Sequence, residues 1–356
     1  MPTTSSAEIP NTTTPESAAR ATARSTGTNP RDDRPGGRRA AVVYNPIKVD
    51  VEVLRAAVAA AEHQAGFEPS LWLETEEDDP GSSMAREAAH QGVDVVLAAG
   101  GDGTVRAVAE GLRGSSVPLA LLPSGTGNLL ARNLKLTLDN LEVSVAAAFA
   151  GGVRDIDLGI AELRRSDGST DELCFVVMAG MGLDAQMLAN TDDDLKKKAG
   201  WLAYGHALVT SMKGGRRIRL RYVLDDNQQH NARVHTLLIG NCGSLPGNIL
   251  LLPEAALDDG LLDIVALRPE GLLGWLQIWS KIIVENGLLR RTEVGRQLTG
   301  ATAPVRALRY LRGAKLQVQL RKGGPEEFQL DGDPVGQVVS FTVRVEPMAL
   351  RVRVPQ

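Results

Sequence analysis

Two stretches of this 356-residue chain carry residue types suited to one chemistry, the holding of phosphate: Gly100-Gly101-Asp102-Gly103-Thr104 and Pro123-Ser124-Gly125-Thr126-Gly127-Asn128. Glycine lets backbone N–H groups approach an anion with no Cβ in the way. Nests of N–H groups and helix N-termini add partial positive charge. Thr104, Ser124 and Thr126 add hydroxyl donors. Asp102 is the odd member, because a carboxylate repels phosphate unless a divalent cation or a hydrogen-bond donor lies between; it is read here as acting through Mg²⁺ or water. For either loop alone a plain βα turn is an equal alternative, whereas two in consecutive units favour a phosphate site. Neither is the dinucleotide fingerprint G-x-G-x-x-G, and neither is a P-loop, which would need Gly-Lys-Ser/Thr.

Each loop must be positioned by a strand before it and a helix after it. Residues Val93 to Ala99 form a short β-branched apolar run, and Val105, Val108, Ala109 and Leu112 then recur with helical spacing, predicting a helix that starts at or just after Thr104. Pro118 to Leu122 form a second apolar strand, and Leu129, Leu130 and Asn133 begin a second helix. Upstream, Arg39 to Tyr44 read as a strand ending in Asn45-Pro46, Asp50 as the cap of a helix carrying Val51, Leu54 and Val58, Leu71 to Leu73 as a strand followed by Glu74-Thr75, and Ser83 to His90 as a short helix. Strands alternating with helices predict a doubly wound parallel sheet, with ligands at the carboxyl ends of the strands. Asn45, Thr75, Asp102 and Ser124 all fall at such ends; for Asn45 and Thr75 ordinary turn chemistry is an equal alternative.

A third helix runs through Phe149, and the pattern changes near Gly151-Gly152. Ile218, Leu220 and Tyr222 alternate with arginines, and Leu316 to Leu320, Phe341 to Val345 and Leu350 to Val354 alternate in the same way. These are half-buried antiparallel strands, so the second half is predicted to be a β-sandwich with helices inserted over 201–212 and 272–286. The second helix is apolar on a wide face, which suits core packing better than contact with lipid. Two acidic motifs fall in this half: Asp258-Asp259-Gly260, whose adjacent carboxylates suit a hard cation or a solvated turn, and Leu330-Asp331-Gly332-Asp333, which alone reads as a hairpin signal.

The formal net charge of −4 argues against a nucleic-acid binder, and five scattered histidines show no metal-ligand spacing. Cys174 and Cys242 read as small buried hydrophobes of a reducing compartment. No apolar run approaches the length of a membrane span. Residues 1–37 lack an apolar period and read as a solvated tail.

The two glycine loops together resemble those of the diacylglycerol kinase catalytic domain, and most closely the bacterial soluble lipid kinases related to diacylglycerol and sphingosine kinases. The resemblance runs from Ala40 to Pro355. It implies three segments: a tail (1–37), a nucleotide-binding α/β domain (38–152) and a β-sandwich lipid-substrate domain (153–356). It implies that Asn45 and Thr75 join Gly100, Gly101, Asp102, Gly103, Thr104, Ser124, Gly125, Thr126 and Asn128 in binding ATP. Asp259, with the carbonyls of Ala256 and Leu261, would hold a structural Mg²⁺. Asp331 would be the general base, with Asp333 standing where the family carries glutamate. Asp157 and Arg132 match an acidic network around Asp102. The chain departs from the family at Leu129, where many members carry aspartate, and at Arg106-Ala107, where Asn-Glu is usual. The expected activity is transfer of the γ-phosphoryl group of Mg·ATP to the hydroxyl of diacylglycerol or a sphingoid-type lipid. The expected enzyme is cytoplasmic, visits the membrane surface peripherally, binds no nucleic acid, and is compatible with a homodimer. A similar first loop occurs in NAD kinases, and a nucleotide-binding membrane-surface regulator with weakened catalysis is the alternative from another class.

Overall fold

The computed structural model describes residues 37–125, 127–182, 217–245, 249–252, 254–269, 274, 308–321 and 323–355. The expected tail apart from Gly37, the helices expected over 201–212 and 272–286 apart from Gly274, and Thr126 lie outside them.

The first half alternates as the apolar pattern predicts: β1 (Arg38–Tyr44), α1 (Val51–Ala65), β2 (Phe67–Glu74), α2 (Ser82–His90), β3 (Val95–Gly100), α3 (Asp102–Leu112), β4 (Leu119–Pro123), α4 (Leu129–Asn133) and α5 (Leu141–Ala150). Every residue of β3 is buried, as a central strand covered on both faces requires. Asp50 caps α1 by accepting the Val53 amide at 3.1 Å, and Gly66 ends the helix in the left-handed conformation. One face of the parallel sheet packs Val43, Val96 and Ala98 against Ala85, Val108 and Leu112 of α2 and α3. The other packs Val42, Leu97 and Leu122 against Leu54, Val58 and Phe149 of α1 and α5.

The second half is built from β5 (Gly152–Arg164), β6 (Thr170–Phe175), β7 (Met178–Met181), β8 (Ile218–Leu224), β9 (His230–Val234), β10 (Thr236–Gly240), the short pair β11 (Ser244–Leu245) and β12 (Ile249–Leu250), β13 (Leu262–Leu267), β14 (Leu308–Gly313), β15 (Lys315–Leu320), β16 (Glu326–Leu330), β17 (Asp333–Val338) and β18 (Ser340–Val354). A six-stranded antiparallel sheet runs β14-β13-β10-β7-β16-β17. It faces the antiparallel part of a ten-stranded sheet ordered β2-β1-β3-β4-β18-β15-β8-β9, with β5 on β18 and β6 on β5. Phe175, Tyr222, Ile239, Leu262, Phe328 and Phe341 fill the space between them, giving the expected sandwich.

The two apolar runs flanking Pro347 are one 15-residue strand, not two. Its register against β5 shifts between Glu346 and Leu350, where Met348 takes a positive φ of 51°. Such an irregularity is where a strand tolerates proline. Past it, Val352 pairs in parallel with Leu119 of β4, so the last strand of the chain extends the first sheet.

Candidate active site

The helix after the first glycine loop starts at Asp102, two residues before the position read from the sequence. Its N-cap is Gly101, which offers no side-chain cap, so the apolar period gave no sign of the first turn. Asp102, Gly103 and Thr104 thus sit on a helix N-terminus, where exposed amides and the macrodipole favour an anion.

The second loop is pressed against the first. Gly125 is so close that a Cβ on it would stand 3.1 Å from the Gly101 Cα, and a Cβ on Gly127 would collide with the Asp102 carboxylate. The Ser124 amide donates to the Gly100 carbonyl at 3.2 Å. Asn128 closes its own loop, accepting the Gly125 amide at 3.2 Å and donating to the Gly125 carbonyl at 2.7 Å. Held this way in a left-handed conformation (φ 47°), Asn128 gives α4 no side-chain cap. Asp102 supplies it from 27 residues away: its Oδ1 accepts the Leu129 amide at 2.6 Å. One Asp102 oxygen is thus satisfied by the first backbone amide of α4. Burial pushes the Asp102 carboxyl up; the Leu129 and Asn128 amides and Arg132 pull it back, and nearby Asp333 pushes it up further. Arg132 is steered by its Nε, which donates to the Gly127 carbonyl at 2.7 Å.

The other expected nucleotide residues lie at the same carboxyl edge. Asn45 donates its amide to Ala99 at 2.9 Å and accepts the Ile47 amide at 3.0 Å, and the Thr75 amide bonds the Tyr44 carbonyl at 2.9 Å. Thr75 and Thr104 are both buried. Thr104 packs beneath Gly100, where a Cβ would come within 2.6 Å of its Oγ1. The Ser124 hydroxyl turns back to the Leu122 carbonyl at 3.0 Å. Beside Ser124 a cavity of about 280 Å³ opens between Lys48, Val53, Pro123, Asp139 and Ser144. It lies near the lower end of small-molecule pocket sizes, about 300 Å³.

The late acidic motif divides into two jobs. Asp331 and Gly332 are the central residues of a two-residue hairpin between β16 and β17, both at positive φ (51° and 97°). The Asp331 side chain is buried and accepts three amides at 2.9 Å each, from Val176, Val177 and Met178. Burial pushes its carboxyl up to about 6 against the pull of those amides. Its oxygens tie the hairpin to the bend between β6 and β7. Asp333, at the start of β17, is exposed at the first glycine loop instead. Its Oδ2 lies 3.3 Å from Nη2 of Arg106 on α3 and 3.2 Å from where a Gly103 Cβ would stand. Arg106, noted in the sequence only as a departure, is thus the residue that links the two halves of the site. Its Nε is buried and without a hydrogen-bond partner among the described residues.

The expected Mg²⁺ position is occupied by an arginine. Asp259 accepts the Leu261 amide at 3.0 Å and pairs with Arg312, which also reaches the Glu254 carbonyl at 3.2 Å and lies 3.6 Å from Asp263. Asp258 is held by Arg154. A guanidinium therefore stands on Asp259, where the resemblance places a divalent cation. No pattern in the sequence marked Arg312. Asp157 joins this turn and not the Asp102 loop: fully buried, it accepts the amides of Gly260 at 2.7 Å and Met348 at 2.8 Å.

Comparison with known proteins identifies both halves of the chain. Residues 39–161 match the model of the diacylglycerol kinase catalytic domain, and residues 176–354 match that of the YegS C-terminal NAD kinase beta sandwich-like domain. A Pseudomonas aeruginosa protein named "Probable lipid kinase YegS-like" is 33% identical over 308 residues, covering 85% of this chain and 90% of that one. A Mycobacterium tuberculosis protein named "Diacylglycerol kinase" is 30% identical over 195 residues, 55% of this chain and 62% of that one. The crystal structure titled as a diacylglycerol kinase from Bacillus anthracis shares the fold, with a TM-score of 0.62 at 17% identity, over 90% of this chain and 97% of that one. Parallel α/β sheet, antiparallel sandwich and paired glycine loops define a kinase of the diacylglycerol kinase class. Within that class the chain belongs to the YegS-like lipid kinase family.

Proposed function

We propose that the enzyme transfers the γ-phosphoryl group of Mg·ATP to the hydroxyl of a membrane lipid, diacylglycerol or a sphingoid-type lipid, and that Asp333 is the general base. The observation that carries this reading is the meeting of the two halves at one point: the half-exposed carboxylate of Asp333, paired with Arg106, stands at the N-terminus of α3 against Gly103. The glycine-loop amides would hold the phosphates, and the cavity beside Ser124 would take other parts of the nucleotide. The lipid oxygen bonds to the γ-phosphorus as the bond to the β–γ bridging oxygen breaks. The electron pair leaves with ADP, and the hydroxyl proton passes to Asp333. The transition state of such transfers is loose, so the base chiefly orients the hydroxyl and takes the proton late. Arg106 fixes the direction of the Asp333 carboxylate, and Asp102 fixes the second loop on the first. Substrate and product would be met by peripheral contact with a bilayer; no helix among the described residues is long and apolar enough to cross one.

General-base catalysis typically contributes ~10²–10⁴-fold. Asp333→Asn, at a half-exposed side chain, is expected to fold normally, keep its ATP affinity and lose kcat by about that factor. A kcat within about threefold of wild type on the enzyme's best lipid would remove Asp333 from the mechanism.

A further inference from the structure

The antiparallel end of the ten-stranded sheet carries an unusual row of charge. In the β8–β9 ladder Arg219 stands directly opposite Arg233, and Arg221 opposite Asn231. In the β8–β15 ladder Arg221 faces Gln319 and Leu220 faces Leu320. The next residue, Arg321, donates its amide to the Arg219 carbonyl at 2.7 Å. Arg321, Arg219 and Arg233 therefore stand abreast, with Arg221 one row along. Arg219, Arg221 and Arg233 alternate with buried Ile218, Leu220, Tyr222 and Val234, so they lie on the face away from the sandwich core. Arg219, Arg233 and Arg321 are exposed, as is Arg217 just before β8.

Side chains directly opposed on neighbouring strands have Cβ atoms about 4.5–5.5 Å apart, and like charges so placed destabilise the sheet. Among the described residues nothing nearby offsets them. The row through Arg221 continues as Asn231, Gln319 and Ser340, with no carboxylate. Among the described residues no ion pair includes any of these arginines. Further along the same sheet Arg344 is held between Glu172 and Glu346, so among the described residues the sheet pairs its cations in one place and not in the other. The chain as a whole carries a net charge of −4, so this is a local charge and not a general basicity.

We propose that this arginine-bearing sheet face docks on an anionic lipid bilayer. A sheet face meets a flat array of phosphates with several guanidinium groups at once, and a cation near such a surface gains about fivefold in partitioning. The choice of a bilayer over another polyanion rests on the lipid-kinase reading; the test below does not.

Sedimentation of the full chain, without ATP, with vesicles of phosphatidylcholine alone or mixed with phosphatidylglycerol tests the assignment. The wild type is expected to bind only the anionic vesicles, and to release them as salt is raised. Arg219→Gln with Arg233→Gln should lower partitioning by about 30-fold, while Arg219→Lys with Arg233→Lys should retain most of it. Turnover on detergent-solubilised substrate should be the same in all three. Equal binding to both vesicle types, or glutamine variants that bind like wild type, would overturn the proposal. The second outcome, joined to aggregation, would mean that the arginines serve only to keep the edge strand β9 from pairing with another chain. Intact anionic binding with no turnover in any variant would count against the kinase reading and leave the docking face standing.

Discussion

Asp331 and Asp333 are two residues apart and do opposite work, one sunk beneath three backbone amides and one open at the glycine loop. Asp331→Asn leaves one oxygen for two amides and turns an NH₂ group on the third. We expect a loss of about 1–3 kcal/mol, the cost of an unsatisfied buried donor. The pH dependence has a definite sign. The folded carboxyl is raised from 3.8 to about 6, so the folded state binds the proton more tightly than the unfolded one. Its contribution is fully present below 3.8 and is lost as pH rises through about 6. The stability gap between wild type and Asp331→Asn should therefore narrow from about pH 4 to about pH 7 in urea midpoints. A gap that widened with pH would mean that the buried carboxylate prefers to be charged. The sequence offered both aspartates as partners of one turn, but a two-residue hairpin sends its first residue one way and the residue after the glycine another. That divergence depends on the left-handed backbone at Asp331, and no side-chain type reports it. Arg312 was hidden for a related reason, since it meets Asp259 only through the pairing of β14 with β13.

At the scale of elements, the paired loops separate glycines that packing requires from one that it does not. A Cβ at Gly101 meets nothing within 4 Å, while one at Gly127 collides with Asp102. Gly101→Ala should melt like wild type yet bind ATP more weakly, because the methyl group enters the space where phosphate approaches the backbone. Gly127→Ala should lose both stability and ATP affinity, since the cap that Asp102 gives to α4 is displaced. Calorimetry with ATP beside thermal melts separates the two; ATP affinity unchanged in Gly101→Ala would detach the first loop from the nucleotide. The strands and helices of the first half were legible because buried runs, helical spacing and caps such as Asp50 agree at each step. Two features were not. A helix capped by glycine leaves no capping side chain to read, so the apolar spacing puts the start of α3 two residues late. A proline between two alternating runs reads as a break, whereas an irregularity at Met348 carries β18 past it.

Across the whole molecule, β18 pairs with β4, β5 and β15, so the end of the chain binds the phosphate-loop sheet to the sandwich. The hairpin bearing Asp333 comes from the sandwich, and the helix bearing Arg106 comes from the first sheet. In the proposed mechanism the acceptor-side carboxylate and the phosphate loops thus come from different halves of one chain. The measurement that tests this most directly is the fate of label from [γ-³²P]ATP, with Mg²⁺, offered separately to mixed micelles of diacylglycerol, to micelles of a sphingoid base and to NAD. The account predicts label in an organic-extractable lipid phosphate for the wild type and its loss, by ~10²–10⁴-fold in rate, for Asp333→Asn. Label transferred to NAD and to neither lipid, or lipid phosphate made equally fast by Asp333→Asn, would contradict it.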